Sequence, residues 1–63
     1  MKTARILEEA PGDFGLEYDT NVGRKNTTRL DARTYEKAIR EAKSFLGITA
    51  DDTDADGTLW NVE

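Results

Sequence analysis

A chain of 63 residues makes one small domain, and folding at this size buries only about 60% of the unfolded surface. It contains no Cys, no His and a single Ser, Ser44. This excludes disulfides, thiolate or imidazole zinc sites, and Ser-His-Asp or Cys-His catalysis. A net charge of −4 repels nucleic acid at long range and favours a basic partner protein.

Catalysis would have to rest on carboxylates, Lys, Tyr or Thr. A chain this small does not readily enclose a pocket of about 300 Å3 and still bury a core. The expectation is therefore a protein that is not an enzyme. No apolar run approaches the ~18 residues of a membrane span, and no secretory leader is expected after Met1. A cytoplasmic protein of bacterial or phage origin fits this pattern. Asn26, Thr27 and Thr28 form a glycosylation sequon, whose use is not expected without a leader. Charge is unevenly spread: residues 1–20 carry −3, residues 21–43 carry +4 and residues 44–63 carry −5.

Two strands are expected first, over residues 4–10 and 14–20, flanking Pro11, Gly12 and Asp13 as a turn. Phe14, Leu16 and Tyr18 alternate with Gly15, Glu17 and Asp19, the pattern of a half-buried strand. A two-residue loop would set Leu7 opposite Leu16. A three-residue loop would set Ile6 opposite Tyr18 and Arg5 opposite Asp19. The second is preferred, because it puts Ala4, Ile6 and Ala10 on the Phe14 face and pairs opposite charges. Leu7 is then left on the other face. A polar connection over residues 21–26 leads to a third strand over 27–32, with Thr28, Leu30 and Ala32 inward.

The clearest element is a helix over residues 34–46. Tyr35, Ala38, Ile39, Ala42, Phe45 and Leu46 recur at helical spacing as one apolar stripe, which places Phe45 in the core. Thr34 is a good N-cap, Glu36 suits the positive end of the helix dipole, and Gly47 can take the left-handed conformation after the last turn. Lys37, Arg40, Glu41 and Ser44 lie on the opposite face. An acidic loop over residues 49–57 and a last strand over 58–62, with Trp60 and Val62 on one face, complete the chain. The order β-β-β-α-β predicts an α+β fold with one mixed sheet, order 3-2-1-4, covered on one face by a single helix.

One stretch names a chemistry. Residues 52–63 match the EF-hand calcium-loop pattern at every specified position. Asp52, Asp54, Asp56 and Glu63 would be the carboxylate ligands, and Gly57 would make the sharp turn. An EF-hand also needs a helix on either side. Here Gly47 is expected to break the incoming helix, and none is expected after Glu63. If residues 58–63 are extended, Glu63 lies about 20 Å along the chain from Gly57. The competing expectation is a solvated acidic loop closed by Gly57, with weak Ca2+ binding at most and no other cofactor. A second cluster, Arg33, Lys37 and Arg40, reads either as a phosphate-tracking patch or as an ordinary solvated helix face supported by Glu36–Arg40 spacing.

The run from Ala32 through Arg33, Thr34, Tyr35, Glu36, Lys37 and Ala38 to Ile39, entered from a strand, resembles the strand-to-helix junction of several small regulatory proteins. HicB-type antitoxins look like this over their β-β-β-α part, although the glycine-rich strand turn typical of them is absent. The phage-encoded inhibitors of bacterial RNA polymerase are similar through hairpin, helix and last strand. The resemblance implies a noncatalytic regulatory module and transfers no functional residue. The leading expectation is thus a small interaction module binding another macromolecule, a protein in the first instance, as a monomer or as a weak dimer through a sheet edge. Its candidate contacts are Leu7 on the open sheet face, Arg24, Lys25 and Arg29 along the third strand, and the acidic loop. The alternative is divalent-cation binding through residues 52–63, and a carboxylate enzyme is a distant third.

Overall fold

The computed structural model describes residues 1–49 and 51–63. Its elements are β1 (Lys2–Ala10), β2 (Asp13–Asp19), β3 (Lys25–Arg29), α1 (Tyr35–Leu46) and β4 (Trp60–Val62). They form one sheet of order β3-β2-β1-β4, with β1 antiparallel to β2, β2 antiparallel to β3, and β4 parallel to β1. The α+β class, the strand order and the single helix are those expected from the sequence.

The hairpin register differs from both expectations. Pro11 and Gly12 do form a two-residue loop between Ala10 and Asp13. Proline holds φ near −65°, and Gly12 has φ +74°, so this loop cannot be the twist-matched primed turn of tight hairpins. A bulge between Glu8 and Ala10 accompanies it, adding twist and shifting the remaining pairs. Ile6 therefore stands opposite Leu16 and Ala4 opposite Tyr18, while Arg5 faces Glu17 rather than Asp19. The shift from the preferred register is even, so Ala4 and Ile6 keep the Phe14 face and Leu7 the other.

The third and fourth strands are also displaced. β3 begins at Lys25, because Lys25 and Asn26 pair with Asp19 and Tyr18. It ends at Arg29, although Leu30 and Ala32 are buried as expected. β4 begins at Trp60 rather than 58, because Leu59 bridges to Thr53 instead.

Helix α1 is capped as its sequence demands. The Thr34 hydroxyl accepts from the Lys37 N–H at 3.3 Å, and Gly47 closes the helix at φ 74°. Ala38 and Ala42 are fully buried, against a sheet that presents Ala4, Phe14, Leu16 and Trp60. Small residues at the centre of the contact let the helix sit low over β1 and β2. Of the larger stripe residues, Leu46 packs partly buried against the core, whereas Tyr35 and Phe45 are left at the margin. Tyr35 and Phe45 remain 50% and 55% exposed, so the expectation that Phe45 is core is corrected. Phe45 instead meets Tyr18 edge-on, with ring centres 5.5 Å apart. Glu41, expected in solvent, turns back to the β3–α1 connection. Its carboxylate accepts from the Asp31 N–H at 2.9 Å and the Ala32 N–H at 2.9 Å.

Candidate interaction surface and acidic loop

Strand alternation gives the sheet two unlike faces. The helix side carries the core. The open side carries Arg5, Leu7, Glu17, Asp19, Lys25 and Arg29, which are opposite-face neighbours of the core residues along each strand. Leu7, Gly15 and Arg29 stand in one row across β1, β2 and β3. With no side chain at Gly15, the row encloses a shallow hollow of about 180 Å3, and a Cβ there would meet the Thr28 carbonyl at 3.4 Å. Leu7 is half-buried in it. Two of the candidate contact residues, Leu7 and Arg29, are thus brought together. Lys25 lies at the far end of β3, and Arg24 lies beyond it in the β2–β3 turn.

The cations of β3 are part-neutralised from β2. Arg29 pairs with Asp13 at 2.8 Å and Lys25 with Asp19 at 3.6 Å. The Thr3 N–H, at 2.9 Å from the Asp19 carboxylate, with Lys25 and Lys2 nearby, holds that carboxyl below its ordinary range against the opposing effect of burial. Arg24 serves the turn through its backbone, its carbonyl accepting from the Thr20 N–H at 3.0 Å. Arg33, just before the helix, and Lys37 and Arg40 on it are exposed, and Arg40 pairs with Glu36 at 3.5 Å.

The acidic loop is organised around one carboxylate. The expected loop over 49–57 includes residue 50, which lies outside the described residues. Asp54 Oδ1 accepts from the Asp56 N–H at 2.9 Å and the Thr58 N–H at 3.0 Å, while Oδ2 accepts from the Trp60 indole N–H at 2.9 Å. The Gly57 N–H returns to the Asp54 carbonyl at 3.0 Å, and Gly57 takes φ 81°. Asp first and Gly last is what a turn of this kind selects, so the Asp-x-Asp-Gly run is accounted for by turn chemistry. Hydrogen bonding from Trp60 first, then from Thr58 and Asp56, holds the Asp54 carboxyl below its ordinary value, against desolvation.

The four candidate metal ligands are engaged separately. Asp52 pairs with Lys43 at 3.9 Å, and its carbonyl accepts from the Trp60 N–H at 2.8 Å. Asp56 is exposed. Glu63 is tied into the sheet, its N–H donating to the Ala4 carbonyl at 2.8 Å and its carbonyl accepting from the Ile6 N–H at 2.9 Å. Among the described residues, no three acidic side chains converge on a point that could hold a metal ion. The role of Asp54 as a buttress for Trp60 was not read from the sequence, although an Asp six residues before a core Trp in a tight turn was the available signal.

Among the described residues, no helix is long and apolar enough to cross a membrane. Compared with protein-family models, curated proteins and solved structures, the chain matches none. The functional reading therefore rests on the geometry above.

Proposed function

We propose that this is a small noncatalytic module that binds another protein through the β3 side of its sheet. The observation that supports this reading is the exposure of β3. It is an edge strand of five residues, and α1 packs over β1 and β2 instead. A bare edge of this length is a template for pairing, and proteins commonly cover or shorten such edges. The opposite edge, β4, has only three residues.

A photoreactive residue placed at Thr27, Phe45, Leu7 or Asn61 of the whole protein, in cells of its native host, tests the reading. The expected result is a discrete crosslink to another protein from Thr27 and Phe45, and none from Asn61 on β4. A crosslink from Asn61 alone, or no protein crosslink from any of the four positions, would overturn it. The cation reading has less support, because Asp54 already accepts three hydrogen bonds and Glu63 is paired in the sheet.

A further inference from the structure

Building on the reading that β3 meets a partner protein, we propose that its outer edge takes an extended acidic segment of that partner as a fifth strand. The segment would set carboxylates against Lys25 and Arg29 and apolar side chains beside Phe45.

Backbone polar groups of successive strand residues point to opposite sides. The Leu30 N–H donates to the Phe14 carbonyl, and the Arg24 carbonyl accepts from the Thr20 N–H. Even-numbered residues of β3 therefore face β2, and Lys25, Thr27 and Arg29 offer their N–H and C=O groups outward. These same three residues oppose Asp19, Glu17 and Gly15, so their side chains stand on the open sheet face. Asn26 and Thr28 oppose Tyr18 and Leu16 on the helix side. On that side Phe45 of α1 is 55% exposed and stacks edge-on against Tyr18, the β2 partner of Asn26.

A strand laid along this edge is dictated on both faces. On the open face its residues meet Lys25, Thr27 and Arg29 in turn. Two carboxylates four residues apart span about 13 Å, the spacing of Lys25 and Arg29. Both cations already hold one carboxylate each from β2. A guanidinium has five donors and an ammonium three, so each can bridge a second carboxylate. On the helix side, the alternate residues extend the core surface beside Phe45. A second copy of the chain is a poor occupant, because antiparallel self-pairing about Thr27 sets Lys25 opposite Arg29 of the other copy. Like charges directly opposite destabilise a pair of strands.

The probe is a synthetic peptide with the core Glu-Val-Thr-Val-Glu, titrated into the 15N-labelled whole protein. The control peptide carries Lys in place of both Glu. The expected result is saturable amide shifts over residues 25–29 and at Phe45 with the acidic peptide, at least tenfold weaker with the control and weakened by added salt. Thr27→Pro removes an outward N–H while leaving the β2 pairing intact, and it should abolish the shifts. If that variant is not folded, the Lys25→Thr, Arg29→Thr double variant replaces it, with a tenfold loss expected. Equal binding of both peptides, shifts confined to other surfaces, binding of a single-stranded oligonucleotide in preference to the acidic peptide, or no binding would each overturn strand addition. Those outcomes are separable from failure of the broader reading, which stands or falls on the protein crosslinks from the four surface positions.

Discussion

Asp54 shows how one side chain fixes a local structure that composition presents only as an excess of acid. Its carboxylate joins the turn at Asp56 and Thr58 to the buried Trp60 ring. Asp54→Ala should lower the urea midpoint clearly, while Asp56→Ala, at an exposed position, should change it little. The carboxyl is harder to protonate in the folded protein than in the unfolded chain. Its contribution is therefore present above the ordinary value of 3.8 and is lost as pH falls through the lower folded value. Trp60 fluorescence followed from pH 6 to pH 2 should report this step, and Asp54→Asn should remove it. A step at or above pH 5 would show that another group controls the ring. Core and margin residues should also separate by mutation. Leu16, with no exposed surface, should cost about 2–5 kcal/mol as Leu16→Ala. That approaches the ~3–9 kcal/mol available to a domain of this size. Phe45→Ala should cost only about 1 kcal/mol, the range of an edge-to-face aromatic pair. Chemical denaturation of both variants checks the ranking, and a reversal would return Phe45 to the core.

Elements were legible in the sequence wherever local chemistry and periodicity agreed. Thr34 and Gly47 marked both ends of α1 because a cap and a left-handed closing residue are local requirements. Which stripe residue lies at the centre was not legible. The two alanines could be read as core, but that they would bring the helix close enough to push Phe45 outward depends on the sheet beneath. The start of β3 at Lys25 was hidden for a similar reason, since Asn26 has little strand propensity and is held there by pairing with Tyr18. In the acidic loop the pattern alone left two readings open, because a calcium loop and a tight turn both select Asp followed by Gly. Both require the left-handed backbone found at Gly57, and they differ at Glu63. A Cβ at Gly57 meets nothing within 4 Å, so Gly57→Ala should cost about 1–2 kcal/mol from the left-handed backbone alone. Gly57→Asn should recover part of this, as measured by thermal melts. Ca2+ should bind the loop no better than roughly millimolar, with Glu63→Gln making no difference. Micromolar binding lost in Glu63→Gln, followed by amide shifts, would instead require residues 52–63 to close into a coordinating loop.

At the scale of the whole molecule, strand order converts charge blocks along the chain into poles. β3, with Lys25 and Arg29, forms one edge of the sheet, and β4, preceded by the aspartate-rich loop, forms the other. Two of the edge pairings open to such a molecule respond to salt in opposite senses. Pairing of β3 with β4 of a second copy joins opposite poles, does not close, and would be weakened as ions screen the attraction. Pairing of β3 with β3 of a second copy closes a dimer but sets Lys25 against Arg29, and screening would relieve that repulsion. The three-residue β4 edge offers little backbone to the first mode, and like charge opposes the second. The protein should therefore sediment as a monomer at tens of micromolar in low salt. The Lys25→Thr, Arg29→Thr variant, freed of the repulsion, should self-associate more strongly than the parent at every salt concentration. Sedimentation velocity between 0.05 and 0.5 M NaCl, where the Debye length falls from about 14 to about 4 Å, reads both effects. A parent oligomer that dissociates as salt rises would place the contact between opposite poles. It would then be β4 and its acidic loop, rather than repulsion along β3, that govern how this sheet meets another chain.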